Sequence, residues 1–141
     1  HCGSGLFSFF LAGYVRQVLG IELDRKSVEC ARLNYKNHGI SNADVFRGDV
    51  KTVVKNEIIA KRINVDLVIL DPPRIGCDKE LLSRIVALNP GKIIYVACNP
   101  ATQARDISFL ADRGFSLRAL QPIDMFPQTK HIEVIAVLEK S

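Results

Sequence analysis

The sequence predicts a doubly wound α/β fold, a mostly parallel sheet with helices between its strands and an antiparallel pair at its carboxyl-terminal edge. Three observations predict it. Between residues 16 and 114, apolar runs of strand length alternate with helix-period patterns. The strand-like runs stop on turns built from glycine, proline or an acid. The last two runs, 115–120 and 132–138, have a loop between them instead of a helix, and strands joined in that way are most simply antiparallel.

In chain order, His1-Cys2-Gly3-Ser4-Gly5-Leu6-Phe7-Ser8 is a glycine turn that opens an apolar helix running to about Ala12. A turn of this type ordinarily follows the first strand of a nucleotide-binding half. No such strand precedes it here, so the first strand is expected to be missing from this chain. Residues 16–23 form the next strand, ending in Glu22, and residues 25–37 a helix closed by His38-Gly39 as a glycine cap. Residues 43–47 are a short strand delivering Gly48-Asp49, and residues 50–62 are expected to be one helix. The run 65–70 ends on Asp71-Pro72-Pro73-Arg74, where two prolines forbid continuation. A helix over 79–88 and the turn Asn89-Pro90-Gly91 lead to the buried strand containing Ile93, Ile94, Tyr95 and Val96. Asn99-Pro100 then reads as a helix cap followed by a first helical residue, and Gly114 ends that helix.

With 141 residues, 48% of them hydrophobic, the chain suffices for one domain with a real core, expected to span 1–141 and to be truncated at its amino terminus. A net charge of +4 tolerates an acidic partner without proving a nucleic-acid surface. Cys2, Cys30, Cys77 and Cys98 are widely separated and lack ligand spacing to His, so neither zinc nor a disulfide framework is suggested. That usage fits reduced thiols in a cytoplasmic protein. No apolar run approaches membrane-spanning length.

Cys98 is the candidate nucleophile. It stands where a strand meets a helix start, the crevice in which open parallel sheets bind ligands. The positive end of a helix favours a negative charge, and the thiolate is the nucleophilic form of cysteine. A free cysteine is also a small buried hydrophobe in many proteins. Glu22, Asp49 and Asp71 end successive strands and face the same crevice. Glu22 lies at about the distance of ~20 residues at which an acid accepts from ribose hydroxyls, and Asp49 is placed to accept from an adenine amino group. Each also reads as an ordinary helix-capping acid. Gly3-Ser4-Gly5 lacks the third glycine of a dinucleotide fingerprint, with Ser8 in its place. S-adenosylmethionine, having no pyrophosphate, asks less of such a loop.

These residues resemble the RNA uracil-C5 methyltransferases, which use S-adenosylmethionine and act on transfer or ribosomal RNA. Cys2 to Ser8 looks like the family's glycine loop and Asp71-Pro72-Pro73-Arg74-Ile75-Gly76 like its D-P-P-R-x-G element. Cys98-Asn99-Pro100-Ala101-Thr102 with Ala104-Arg105-Asp106 resembles its nucleophile segment, and Asp124-Met125-Phe126-Pro127 with Thr129, His131 and Glu133 its final signature. The resemblance implies a Rossmann-like methyltransferase sheet, Cys98 as nucleophile, Glu133 as general base, and Gly3, Gly5, Leu6, Glu22, Asp49 and Asp71 as contacts to S-adenosylmethionine, with no metal in this part. It further implies an RNA substrate, no membrane, and an amino-terminal RNA-binding domain of the same protein, which in some members carries an iron-sulfur cluster. Two positions depart from the pattern. The family usually has an aromatic residue where His1 stands and often a polar one at Leu6, which leaves side-chain contacts to the cofactor there in question. Taken alone, the piece is expected to lack turnover.

The chemistry accounts for those residue types. C5 of uracil is a weak carbon nucleophile until a thiolate adds at C6, and the methylated adduct must then lose its C5 proton to a base before the thiolate can leave. The target nucleotide has to leave its stack to reach Cys98, which favours loop RNA. A cytosine-C5 RNA methyltransferase would share this thiolate logic. A non-catalytic module binding S-adenosylmethionine or NAD would share the sheet.

Overall fold

The computed structural model describes residues 3–124 and 132–141. They form an α/β protein in two compact units, His1–Glu57 and Ile58–Ser141.

In the first unit, helix α1 (Leu6–Ala12) leads to strand β1 (Val18–Glu22), helix α2 (Arg25–Asn37), strand β2 (Ala43–Arg47) and a single turn, α3 (Val50–Val53). Strands β1 and β2 are parallel, in register from Val18 opposite Ala43 to Glu22 opposite Arg47. Val28, Ala31 and Tyr35 recur at helical spacing on α2 and pack with Val45 to form the core. Asp24 caps α2 by accepting from the Ser27 amide, and His38 with Gly39 (φ +66°) closes it as the sequence predicts.

The expected helix over 50–62 is interrupted. After Val53 the backbone widens into a π-helical segment, Val54–Ile59, and Arg62 leaves it with φ +53°. Val53, Val54 and Ile58 are buried along this stretch, and the wider turn brings them onto a narrower arc than an α-helix would.

The second unit holds β3 (Leu67–Leu70), α4 (Lys79–Leu88), β4 (Lys92–Ala97), α5 (Pro100–Ala111), β5 (Phe115–Ile123) and β6 (Glu133–Lys140). Its sheet order is β3-β4-β6-β5. Strands β3 and β4 are parallel, whereas β6 runs antiparallel to both β4 and β5, so the last strand inserts between two earlier ones. A bulge at Arg118 interrupts the β5–β6 register. Ile93, Tyr95 and Ala97 of β4 alternate inward with Ala136 and Leu138 of β6, and this face packs on Leu82 and Ile85 of α4 and Leu110 of α5. Among the described residues, no helix is long and apolar enough to cross a membrane.

Candidate functional site

In the first unit the expected cofactor residues gather at the carboxyl ends of two parallel strands. Gly5, at φ +85°, is the residue before α1, and a Cβ there would lie 2.7 Å from the Tyr35 hydroxyl, so only glycine lets the loop approach α2. Gly3, at φ +53°, has open space where a side chain would stand. Leu6, the first residue of α1, is exposed, while Ser8 is buried at the position where a third glycine would fall.

Glu22 ends β1 with its side chain buried. One carboxylate oxygen accepts from the Gly3 amide at 2.9 Å, and the other accepts from the amides of Leu23 at 2.8 Å and Asp24 at 3.0 Å. Burial works against its charge, but the amides of Asp24, Gly3 and Leu23 outweigh it and hold the carboxyl below the usual carboxylate range. Glu22 therefore organises the glycine loop as well as facing it. Asp49 follows β2 and caps α3. The Thr52 amide at 3.0 Å, joined by the Thr52 hydroxyl, holds its carboxyl below the usual value, and the side chain stays exposed.

In the second unit Asp71, Cys98 and Glu133 meet at one end of the sheet. Asp71 follows the last residue of β3 and is exposed. Cys98 follows the last residue of β4, is half-buried, and stays out of the core cluster beneath the strand. Glu133 begins β6. Since Ala97 pairs with Val134, Glu133 stands one antiparallel step beyond that pair, at the level of Cys98. Residues directly opposed across an antiparallel pair have Cα atoms about 5 Å apart. Two residues distant in sequence, the expected nucleophile and the expected base, are thus brought to neighbouring strand ends.

Cys77 is the contrasting thiol. It lies in the core, where burial pushes it up to about 11, so it is protonated and shielded near neutral pH. Cys30 is exposed on α2.

The cap expected at Asn99 is present, its side chain accepting from the Ala101 amide at 3.1 Å with Pro100 as the first helical residue. A set of residues around it was not legible as structural. Asn99 donates from Nδ2, and Thr102 from its hydroxyl, to the carbonyl of Arg74, at 3.2 and 3.1 Å. Gln103, buried, donates from Nε2 to the carbonyls of Tyr95 and Val134, both at 2.9 Å, tying β4 to β6 at the site end. Asp106, also buried, accepts from the Cys77 amide at 2.7 Å and the Tyr95 hydroxyl at 2.6 Å with one oxygen, and from Arg105 with the other. Burial, then the bond to Asp106, pushes the Tyr95 phenol far up. The one sequence signal for this network is the polar spacing 99, 102, 103, 106 on a helix, which also describes a solvated face.

Cys2, His1 and the signature residues 125–131, including His131, lie outside the described residues. Among those described, no group of three or more His, Cys, Asp and Glu side chains is placed to share a metal ion.

A sequence profile of the tRNA (uracil-5-)-methyltransferase family matches residues 1–141. An uncharacterized RNA methyltransferase of Geobacter sulfurreducens is 43% identical over 140 residues, covering 99% of this chain and 28% of that protein. Its counterpart in Gloeobacter violaceus is 43% identical over 141 residues, covering 100% of this chain and 30% of that protein. The crystal structure of Pyrococcus abyssi tRNA (uracil-54, C5)-methyltransferase in complex with S-adenosyl-L-homocysteine aligns with TM-score 0.80 and 33% identity over 97% of this chain and 32% of that one. An rRNA methylase of Streptococcus thermophilus, 16% identical with TM-score 0.72 over 99% of this chain and 82% of its own, shares the fold alone. The chain spans about 30% of the length of the curated relatives it matches. On the full-length profile match and these identities, the chain belongs to the tRNA (uracil-5-)-methyltransferase family.

Proposed function

We propose that the protein of which this chain is part transfers a methyl group from S-adenosylmethionine to C5 of a uridine in transfer or ribosomal RNA, through a covalent bond between Cys98 and C6 of the ring. The observation that carries this reading is the register of β4 and β6, which sets Glu133 level with Cys98 at adjoining strand ends.

The residues present suit the cofactor. Gly3 offers bare backbone with open space above it, and Asp49 and Asp71 are exposed acids at strand ends, acceptors for hydroxyl and amino groups. Gly5, Leu6 and Glu22 complete the proposed contacts of the first unit, and in the second unit the proposed contact is Asp71, at the head of the family's D-P-P-R-x-G element. Bound S-adenosylmethionine supplies an electrophilic methyl on sulfonium.

The chain's own residues do the rest. The Cys98 thiolate forms the Sγ–C6 bond, and the C5–C6 π electrons shift toward the C4 carbonyl, so that C5 becomes nucleophilic and takes the methyl. Glu133 then removes the proton from C5. The pair left behind restores the C5–C6 double bond and expels the thiolate.

The test uses the full-length protein and its RNA. Cys98→Ala should abolish methylation. Glu133→Gln should leave a covalent RNA adduct, visible on a denaturing gel and by mass spectrometry. Nucleoside analysis of the product should show 5-methyluridine, and 5-methylcytidine would point to the cytosine enzymes instead. A Cys98→Ala enzyme that still methylates overturns the mechanism. Equilibrium binding of S-adenosylhomocysteine against NAD checks the cofactor.

A further inference from the structure

We propose that Arg105 and Asp106 are positioning residues of this reaction, holding the loop Asp71–Cys77 at a set place against the turn that carries Cys98. The inference rests on the function proposed above and adds to it two residues that touch no reacting atom.

Asp106 sits in the second turn of α5, 1% exposed, and four donors converge on its carboxylate. One oxygen accepts from the Cys77 amide and the Tyr95 hydroxyl, and the other from Nε of Arg105 at 2.9 Å and Nη2 at 2.7 Å. A carboxylate offers about four acceptor sites, so these donors saturate it. Nη2 of Arg105 reaches further, to the carbonyls of Ile75 and Cys77, each at 3.1 Å.

Together with the bonds from Asn99 and Thr102 to the Arg74 carbonyl, these contacts tie residues 74, 75 and 77 to the first two turns of α5. Gly76 completes the fit. At φ +79° it presses so closely on the pair that a Cβ would stand 2.6 Å from Oδ2 of Asp106 and 2.8 Å from Nη2 of Arg105. The loop so mounted carries Asp71 and Arg74, and the cap of the helix it is mounted on, Asn99, directly follows Cys98.

The bond to the buried Cys77 amide serves stability, but Arg74 and Ile75 are exposed and water can satisfy their carbonyls. Reacting atoms, in contrast, must be held at about 3–3.5 Å, and a misplacement of 1 Å costs on the order of 10²-fold in rate. A positioning role therefore shows in kcat more than in KM or folding.

Arg105 is the residue to change, because its side chain is 56% exposed and Lys keeps the charge while losing the fork. In the full-length protein with RNA, Arg105→Lys should lower kcat for uridine methylation about 10-fold or more, a larger factor than the accompanying change in KM for S-adenosylmethionine, whose contact Asp71 lies on the same loop. In a Glu133→Gln background, the rate of adduct accumulation should fall by a similar factor, which reads thiolate addition and methyl transfer without proton removal and thiolate release. Amide hydrogen exchange at Gly76 and Cys77 should quicken while circular dichroism stays unchanged. Thr102→Val, a second variant that loosens the same loop at Arg74, should act in the same direction. An unchanged kcat in both variants overturns the inference, as does a fall matched by loss of folded protein or confined to KM. A wild-type protein that does not methylate uridine overturns the function itself and this inference with it, whereas an active wild type with fully active variants removes only the positioning role.

Discussion

Glu22 and Asp106 are both buried acids that hold a glycine-bearing loop, 6% and 1% exposed, but they are satisfied from different sources. Glu22 meets three backbone amides, two of them from the residues that follow it. Asp106 meets one amide, a phenol and a guanidinium, brought from three separate places in the chain. The difference follows from where each acid stands. A strand end opens into a loop whose amides have no ladder partner, so a carboxylate there finds backbone donors at hand. The amides of a helix interior are already bonded four residues back, so an acid on α5 must draw its donors from side chains, here that of its neighbour Arg105, and from other elements. Local geometry supports the first loop, and tertiary packing supports the second.

The strongest way to break this contrast is to crowd the glycines. Gly76→Ala combines a left-handed backbone with a Cβ driven into Asp106 and Arg105, and should cost about 3 kcal/mol with loss of exchange protection at Cys77. Gly3→Ala, with open space around it, should cost only about 1 kcal/mol by urea denaturation. Equal costs would show that the second loop is not held as tightly as its contacts imply.

Neutralising the acids is the next test. Asp106→Asn uncouples a buried carboxylate from Arg105 and leaves an amide facing donors, an effect of about 3 kcal/mol. Glu22→Gln meets only neutral amides, and about 2 kcal/mol is expected. Hydrogen exchange should localise the first loss to residues 75–77 and the second to the glycine loop.

The smallest effects are those of pH, and they have opposite signs. Glu22 is held below its ordinary value of 4.5, so its contribution is complete above that pH and is lost as the pH falls through the folded value. Cys77 is displaced from 9.0 to about 11, so the fold favours its neutral thiol, and that contribution is present below about 9 and lost as the pH rises toward 11. Urea midpoints measured across pH should fall at both ends. Glu22→Gln should flatten the acid limb and Cys77→Ala the alkaline one.

Much of this was legible beforehand because its causes are local. The cap at Asn99-Pro100, the glycine closing α2 and the acids at the ends of β1, β2 and β3 each announce themselves by residue type within a few positions. The π-helical stretch after Val53 was not legible, since 50–62 carries an acceptable helical pattern and no residue type there announces a wider turn. Nor was the role of Asp106, because a carboxylate on a helix reads the same whether it faces water or a buried amide.

The sequence by itself determined the order of strands and helices and most of the turns between them, because periodicity and turn chemistry act over a few residues at a time. Only the tertiary structure decided that β6 inserts between β4 and β5, in the register that sets Glu133 beside Cys98. A strand can slide two residues and keep its faces, so the hydrophobic pattern alone leaves that choice open. The inward rows of β4 and β6, packed together under α4 and α5, close it.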